Sequence, residues 1–163
     1  MTSSSGPPAD GLDALEALYR EHYDTSVRTA HLLVGDRGRA EELAQDAFVR
    51  IAPKVATVAN PGGYLRVTLV NLCRDAGRRD VRAAAVPIPN ARVTSAPTIP
   101  ATSTAVWAAL QNLPERQRTA VTLRYYLDLP DDEIAEILGA RPGTVRSLVH
   151  RALATLKEVV PHD

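Results

Sequence analysis

With 163 residues, 45% of them apolar and 4% aromatic, the chain suffices for one ordinary domain or two small ones with cores of Ala, Leu and Val. One cysteine, Cys73, excludes a disulfide framework and permits a reducing compartment, and no signal peptide, anchor motif or membrane-spanning apolar run is read. The formal net charge is zero, which by itself speaks weakly against a nucleic-acid binder, yet nearly all the positive charge is arginine, and two basic patches stand out, Arg66 to Arg82 and Arg141 to Arg151.

Residues 1–11, with serines, Gly6, Pro7 and Pro8, read as a disordered tail. A first helical domain is predicted over 12–82. Leu12, Leu15, Tyr19, Tyr23, Val27 and Ala30 recur at helical spacing from Leu12 to Leu33, and Gly35 ends that helix. Asp36 is placed to cap a second helix. There Ala40, Leu43, Ala44, Ala47, Phe48 and Ile51 form an apolar face, and Glu41, Glu42, Gln45, Asp46 and Arg50 point outward. Pro53 breaks or bends it. Asn60, Pro61, Gly62 and Gly63 spell a turn, after which a third helix runs from about Tyr64 to Arg79. Leu65, Leu69, Leu72, Cys73 and Ala76 face the core there, and Arg66, Val67, Asn71, Arg74 and Arg78 face out. On that apolar face Cys73 reads as a small buried hydrophobe.

Residues 83–103 read as a Pro- and Ala-rich flexible linker, with Pro87, Pro89, Pro97 and Pro100 making it semi-extended. A second helical domain is predicted over 104–160. Ser103 or Thr104 caps its first helix, where Val106, Trp107, Leu110 and Leu113 pack together and Trp107 reads as a core anchor. Pro114 fits the first turn of the next helix.

The end of this domain carries the chemistry. An acidic helix start (Asp131, Asp132, Glu133) leads into Ile134, Ala135 and Leu138, a packing face. Gly139 can leave the helix through a left-handed conformation, and Pro142 can open the next. Val145, Leu148, Val149, Ala152, Leu153 and Leu156 then point inward, leaving Arg141, Thr144, Arg146, Ser147, His150 and Arg151 outside or at the margins. A helix-turn-helix places the amino end of its second helix at the base edges of the major groove. Arg141, Thr144 and Ser147 are the base-reading candidates and Arg146 and Arg151 the phosphate contacts, with Arg118 and Arg124 able to extend them. The competing reading is a plain helical hairpin with a solvated basic face.

The segments GDRGRAEELAQDAFVRI, YLRVTLVNLCRDAGRR and LPERQRTAVTLRYYLDLPDDEIAEILGARPGTVRSLVHRALATLK, in this order, resemble the extracytoplasmic-function (ECF) group of bacterial RNA polymerase sigma factors, sigma-70 family, short actinobacterial type. The resemblance implies an all-α chain of two small domains, sigma region 2 followed by region 4. It implies a promoter-specificity subunit that binds core RNA polymerase through the β′ clamp helices and the β-flap tip. Glu41, Glu42, Gln45, Asp46, Phe48 and Arg50 would mark the polymerase-facing helix. Asn71, Arg74, Arg78 and Arg79 would mark the side that reads and melts the −10 element. Arg141, Thr144, Arg146, Ser147 and Arg151 would read the −35 element, and Leu123, Tyr125 and Leu127 are candidates for the flap tip or for the core.

The chain departs from the family pattern at Ala52 and near Tyr64, where tryptophans are usual, and at Pro130 and Arg141, where capping hydroxyls are usual. An anti-sigma factor is a candidate further partner, and a cytoplasmic location, nucleoid-associated when bound to polymerase, is implied. No membrane insertion, cofactor, metal or catalytic residue is expected. His22, His31, His150 and His162 are dispersed and no catalytic motif is present. The alternative is a polymerase-independent helix-turn-helix regulator whose N-terminal helices form a partner-binding module.

Overall fold

The first helices are delimited by local chemistry. In the computed structural model, which describes residues 7–84 and 101–160, α1 spans Pro7–Val34. It stops at Gly35, which takes a left-handed φ of 83° and donates its N–H to the His31 carbonyl at 2.9 Å. Asp36, in an extended conformation, then caps α2 (Arg37–Ile51) by accepting the Gly38 N–H at 3.1 Å. Pro53 ends α2 in a 3-10 turn, Ala52–Lys54. The Asn60 carboxamide accepts the Gly63 N–H at 3.1 Å and starts α3, Pro61–Ala84.

Helices α4 (Ala101–Asn112), α5 (Glu115–Tyr125), α6 (Asp131–Leu138) and α7 (Pro142–Lys157) complete an all-α fold. Both α1 and α3 begin earlier than their hydrophobic periodicity indicates, because each opens on a proline, which suits a first turn. Helix α4 likewise begins before Ser103, and Pro114 is the N-cap of α5 instead of its first helical residue. Residues 1–6 of the expected tail and 85–100 of the expected linker, including its four prolines, lie outside the described residues.

Helices α1–α3 pack around α2, whose Ala40, Ala44 and Ala47 have no exposed surface. Phe48, Ile51, Leu65, Leu69, Val70 and Cys73 fill the space around them. In the second cluster, Ala120, Leu123, Ile134, Ala135, Leu138, Val145 and Val149 bury the faces of α5, α6 and α7, and they join the same continuous core. Leu113, Val121 and Ala152 form a smaller cluster beside it.

Three kinds of contact tie the clusters together. The Gln111 side chain of α4 donates to the Leu32 carbonyl at the end of α1, at 2.9 Å. The His31 ring lies against Trp107, with centroids 4.6 Å apart, so the tryptophan anchors one cluster on the other. Burial lowers the His31 pKa, assisted by Arg37 and opposed by Asp36. Arg74 of α3 and Glu115 of α5 form an ion pair at 2.5 Å, and Arg66 and Glu133 a looser one at 3.8 Å.

Two outcomes test this packing. A β-carbon on Gly35 would meet the Gln111 Oε1 at 2.6 Å as well as the left-handed backbone penalty. Gly35→Ala should therefore cost about 1–2 kcal/mol in urea unfolding. Cys73 is buried, and that burial pushes its thiol up to about 12, with Arg39 pulling weakly the other way. Since the thiolate is the reactive form, a disulfide reagent at pH 8 should label the native chain roughly a thousandfold more slowly than the urea-unfolded one.

Candidate nucleic-acid interface

The turn between α6 and α7 is built from the backbone upward. Gly139 has a φ of 63°, and the Ala140 N–H reaches back to the Ala135 carbonyl at 2.9 Å, closing α6. Arg141 is the extended N-cap of α7, without a side-chain cap hydrogen bond, and Pro142 occupies the first turn. Val145, Val149 and Ala152 are buried and fix the rotation of α7 about its axis. Arg141, Thr144, Arg146, Ser147 and Arg151 are consequently all exposed. Thr144, Ser147 and Arg151 follow at three- and four-residue intervals along one flank, whereas Arg146 lies on the other, beside α6.

The acidic start of α6 does more than face the helix dipole. Pro130 provides no side-chain cap. Asp131 accepts a hydrogen bond from Arg124 of α5, and its other oxygen lies 3.8 Å from Arg146 of α7. Glu133 reaches Arg66 in the first cluster. Arg124 and Arg118 both had a claim to extend the basic face, and Arg118 does not do so. Its half-buried guanidinium donates to the carbonyls of Gln111 (2.9 Å) and Leu113 (3.2 Å), closing the end of α4. Burial lowers its pKa, with Glu115 opposing.

On α3 the four arginine-and-asparagine candidates part company. Asn71 lines an open groove of about 500 Å³ with Arg50, Lys54, Tyr64, Thr68, Leu72 and Asp75. The Lys54 ammonium donates to the Tyr64 hydroxyl at 3.1 Å. Arg78 adjoins this face, 3.5 Å from Asp75, and Arg79 is exposed. Arg74 turns the other way, into its pair with Glu115, and its side chain is 11% exposed. Sequence reasoning left Lys54 and Thr68 out of this groove. Tyr64, Thr68, Asn71 and Asp75 follow at four-, three- and four-residue spacing, a signal available in the sequence; the approach of Lys54 depends on the Pro53 turn.

On α2, Glu42, Gln45, Asp46 and Arg50 are exposed, and Glu41 is partly covered by its pair with Arg37 at 3.4 Å. Phe48, expected on the apolar face as well as among the residues of the polymerase-facing helix, holds the first of these places. It is buried against the rings of Tyr19 and Tyr23, at 5.1 and 6.2 Å between centroids. Its neighbour Val49, unremarked in the sequence, is 69% exposed and shares the outer face instead. Of the flap-tip candidates, Leu123 is fully buried, Leu127 is half-buried against the core, and Tyr125 stands out at 62% exposure.

Residues 18–83 match the family described as Sigma-70 region 2, and residues 103–156 match Sigma-70, region 4. The RNA polymerase sigma-E factor of Streptomyces antibioticus is 33% identical over 149 residues, covering 88% of this chain and 82% of that protein. The chain belongs to the ECF group of sigma-70-family RNA polymerase sigma factors. The sigma-E factor of Streptomyces coelicolor is 32% identical, covering 88% of this chain and 84% of its own. Among solved structures, the sigma factor RpoE from Bartonella quintana, in complex with the anti-sigma factor NepR, superposes with a TM-score of 0.64 at 26% identity. It covers 91% of this chain and 92% of that one. CnrH, solved with the cytosolic domain of CnrY, shares the fold at a TM-score of 0.62 and 17% identity, covering 93% and 94% of the two chains. As a sigma factor the chain is a promoter-specificity subunit that acts with core polymerase on DNA and is not itself an enzyme.

For this sigma factor the Arg74–Glu115 pair has a direct consequence. Contact between Arg74 and DNA requires the pair, and with it part of the interface between the two clusters, to separate. Glu115→Gln leaves Arg74 facing a neutral partner and should weaken the association of α3 with α5 by about 1–3 kcal/mol. Fluorophores on α2 and α7 would report it as a larger mean separation with unchanged helical content.

Proposed function

We propose that the two arginine-bearing surfaces read separate promoter elements while α2 holds the polymerase. In this reading the amino half of α7 enters the major groove of the −35 element. Arg141, Thr144 and Ser147 lie toward the bases, and Arg146 and Arg151 toward phosphate. The observation that carries it is the orientation of α7: its buried Val145, Val149 and Ala152 leave all five candidates exposed on the helix after the turn.

The −10 strand is taken along the α3 groove. There Tyr64 offers an aromatic surface to an unpaired base, Asn71 offers polar atoms to its edge, and Arg50 and Lys54 supply charge for the backbone. Arg78 and Arg79 extend this surface, and Arg74 joins it once released from Glu115. Glu41, Glu42, Gln45, Asp46 and Val49 form the face offered to the β′ clamp helices, and Tyr125 meets the β-flap tip. The complex of the Bartonella relative with NepR supports an anti-sigma factor as a further partner. A cytoplasmic site of action follows from the same reading, and no helix among the described residues is long and apolar enough to cross a membrane.

Permanganate footprinting of promoter DNA with the chain and actinobacterial core polymerase tests the reading. Reactive thymines should appear around −10 only when both are present. Specific duplex binding by the chain alone, with no opening in the presence of core enzyme, would favour the independent regulator. Arg151→Glu should weaken −35 binding on all sequences and reduce the salt slope by about one. Arg141→Ala should instead change base preference at one position by about 1–3 kcal/mol, measured by competition between single-base duplex variants.

A further inference from the structure

Asp131 occupies an unusual place among the helices of the second cluster. Its side chain is 20% exposed, less than either cation beside it, and each of its oxygens faces a different arginine. Oδ1 accepts from the Arg124 Nη1 of α5; Oδ2 lies 3.8 Å from the Arg146 Nη1 of α7. One carboxylate on α6 thus joins all three helices that frame the recognition surface. The Arg146 side chain is 66% exposed, so its free donors remain open to solvent while one edge faces the acid.

We propose that Asp131 is a positioning residue for promoter recognition, which directs Arg146 and tempers its attraction to phosphate. This rests on the reading of α7 given above. Two physical effects follow from the geometry. The shared acid restricts two long, flexible side chains before DNA arrives, so less rotamer freedom is lost on binding. It also cancels part of the positive charge that any phosphate would feel, whatever the sequence. Attraction then survives best where an acceptor meets the guanidinium in the orientation the acid leaves open. An isolated acid in the first turn of α6 would do neither; it would stabilise the helix end and nothing more.

The test uses holoenzyme reconstituted with actinobacterial core polymerase. Its probes are a duplex selected by the wild-type holoenzyme from a library randomised across the upstream element, and a scrambled duplex of equal length. Asp131→Asn should lower the selected-to-scrambled affinity ratio by about three- to tenfold, mainly by tightening the scrambled duplex, and should steepen the salt slope by about 0.9 as one more phosphate is neutralised. Asp131→Glu, which restores the charge, should recover the ratio. On an Arg146→Ala background, Asp131→Asn should leave the ratio unchanged.

If Asp131→Asn lowers the melting temperature and weakens both duplexes equally at unchanged salt slope, Asp131 is a helix-end acid and the inference is wrong. If Arg146→Ala itself leaves binding of the selected duplex intact, the assignment of α7 fails first and takes this inference with it. The single variants therefore distinguish the two failures.

Discussion

Close packing against alanine is the constraint on which the rest of this structure depends. Ala40, Ala44 and Ala47 line one side of α2 without exposed surface, so α1 and α3 approach it closely. With a single phenylalanine and a single tryptophan in the chain, bulk cannot compensate for distance. Larger side chains at those alanines would push α3 away, and overpacking of this kind disturbs a core as surely as a cavity does. The same economy recurs at Ala120, Ala135 and Ala152, which let α5, α6 and α7 nest. The outward rotation of the arginines on α7 is a by-product of burying the small face opposite them.

The neutral charge of the chain takes on meaning at this level. Its arginines are not a uniform basic coat. Arg66, Arg74, Arg124 and Arg146 each lie near an acid on another helix. Arg141, at the N-cap of α7, and Arg151, along it, remain outward. A net charge of zero supplies no overall long-range attraction to the phosphate backbone, in keeping with a subunit that acts on promoter DNA together with polymerase.

What could be read from the sequence was mostly local. Gly35, Asp36, Gly139 and Pro142 announce helix ends through backbone preferences that depend on one or two neighbours, and each stands where its chemistry requires. The periodic aliphatic residues located the cores for the same reason. What escaped was the choice of partner across the fold. Nothing near Arg118 in the chain shows that it closes α4, and nothing near Arg74 points to an acid 41 residues away. Phe48 was legible as part of the apolar face of α2, but its ring partners Tyr19 and Tyr23 on α1 were not. Asp128, at a φ of 56°, holds a left-handed turn that a glycine would have advertised.

The contact between Gly35 and Gln111 reaches beyond stability. The carboxamide reads the end of α1 from the far side of the chain, using space that exists because residue 35 has no side chain. Two positions 76 apart in sequence are thereby bound into one steric agreement. A hybrid sigma factor would join the first half of one relative to the second half of another. In such a hybrid built on this scaffold, the glycine and the glutamine form a compatibility pair that has to be inherited together.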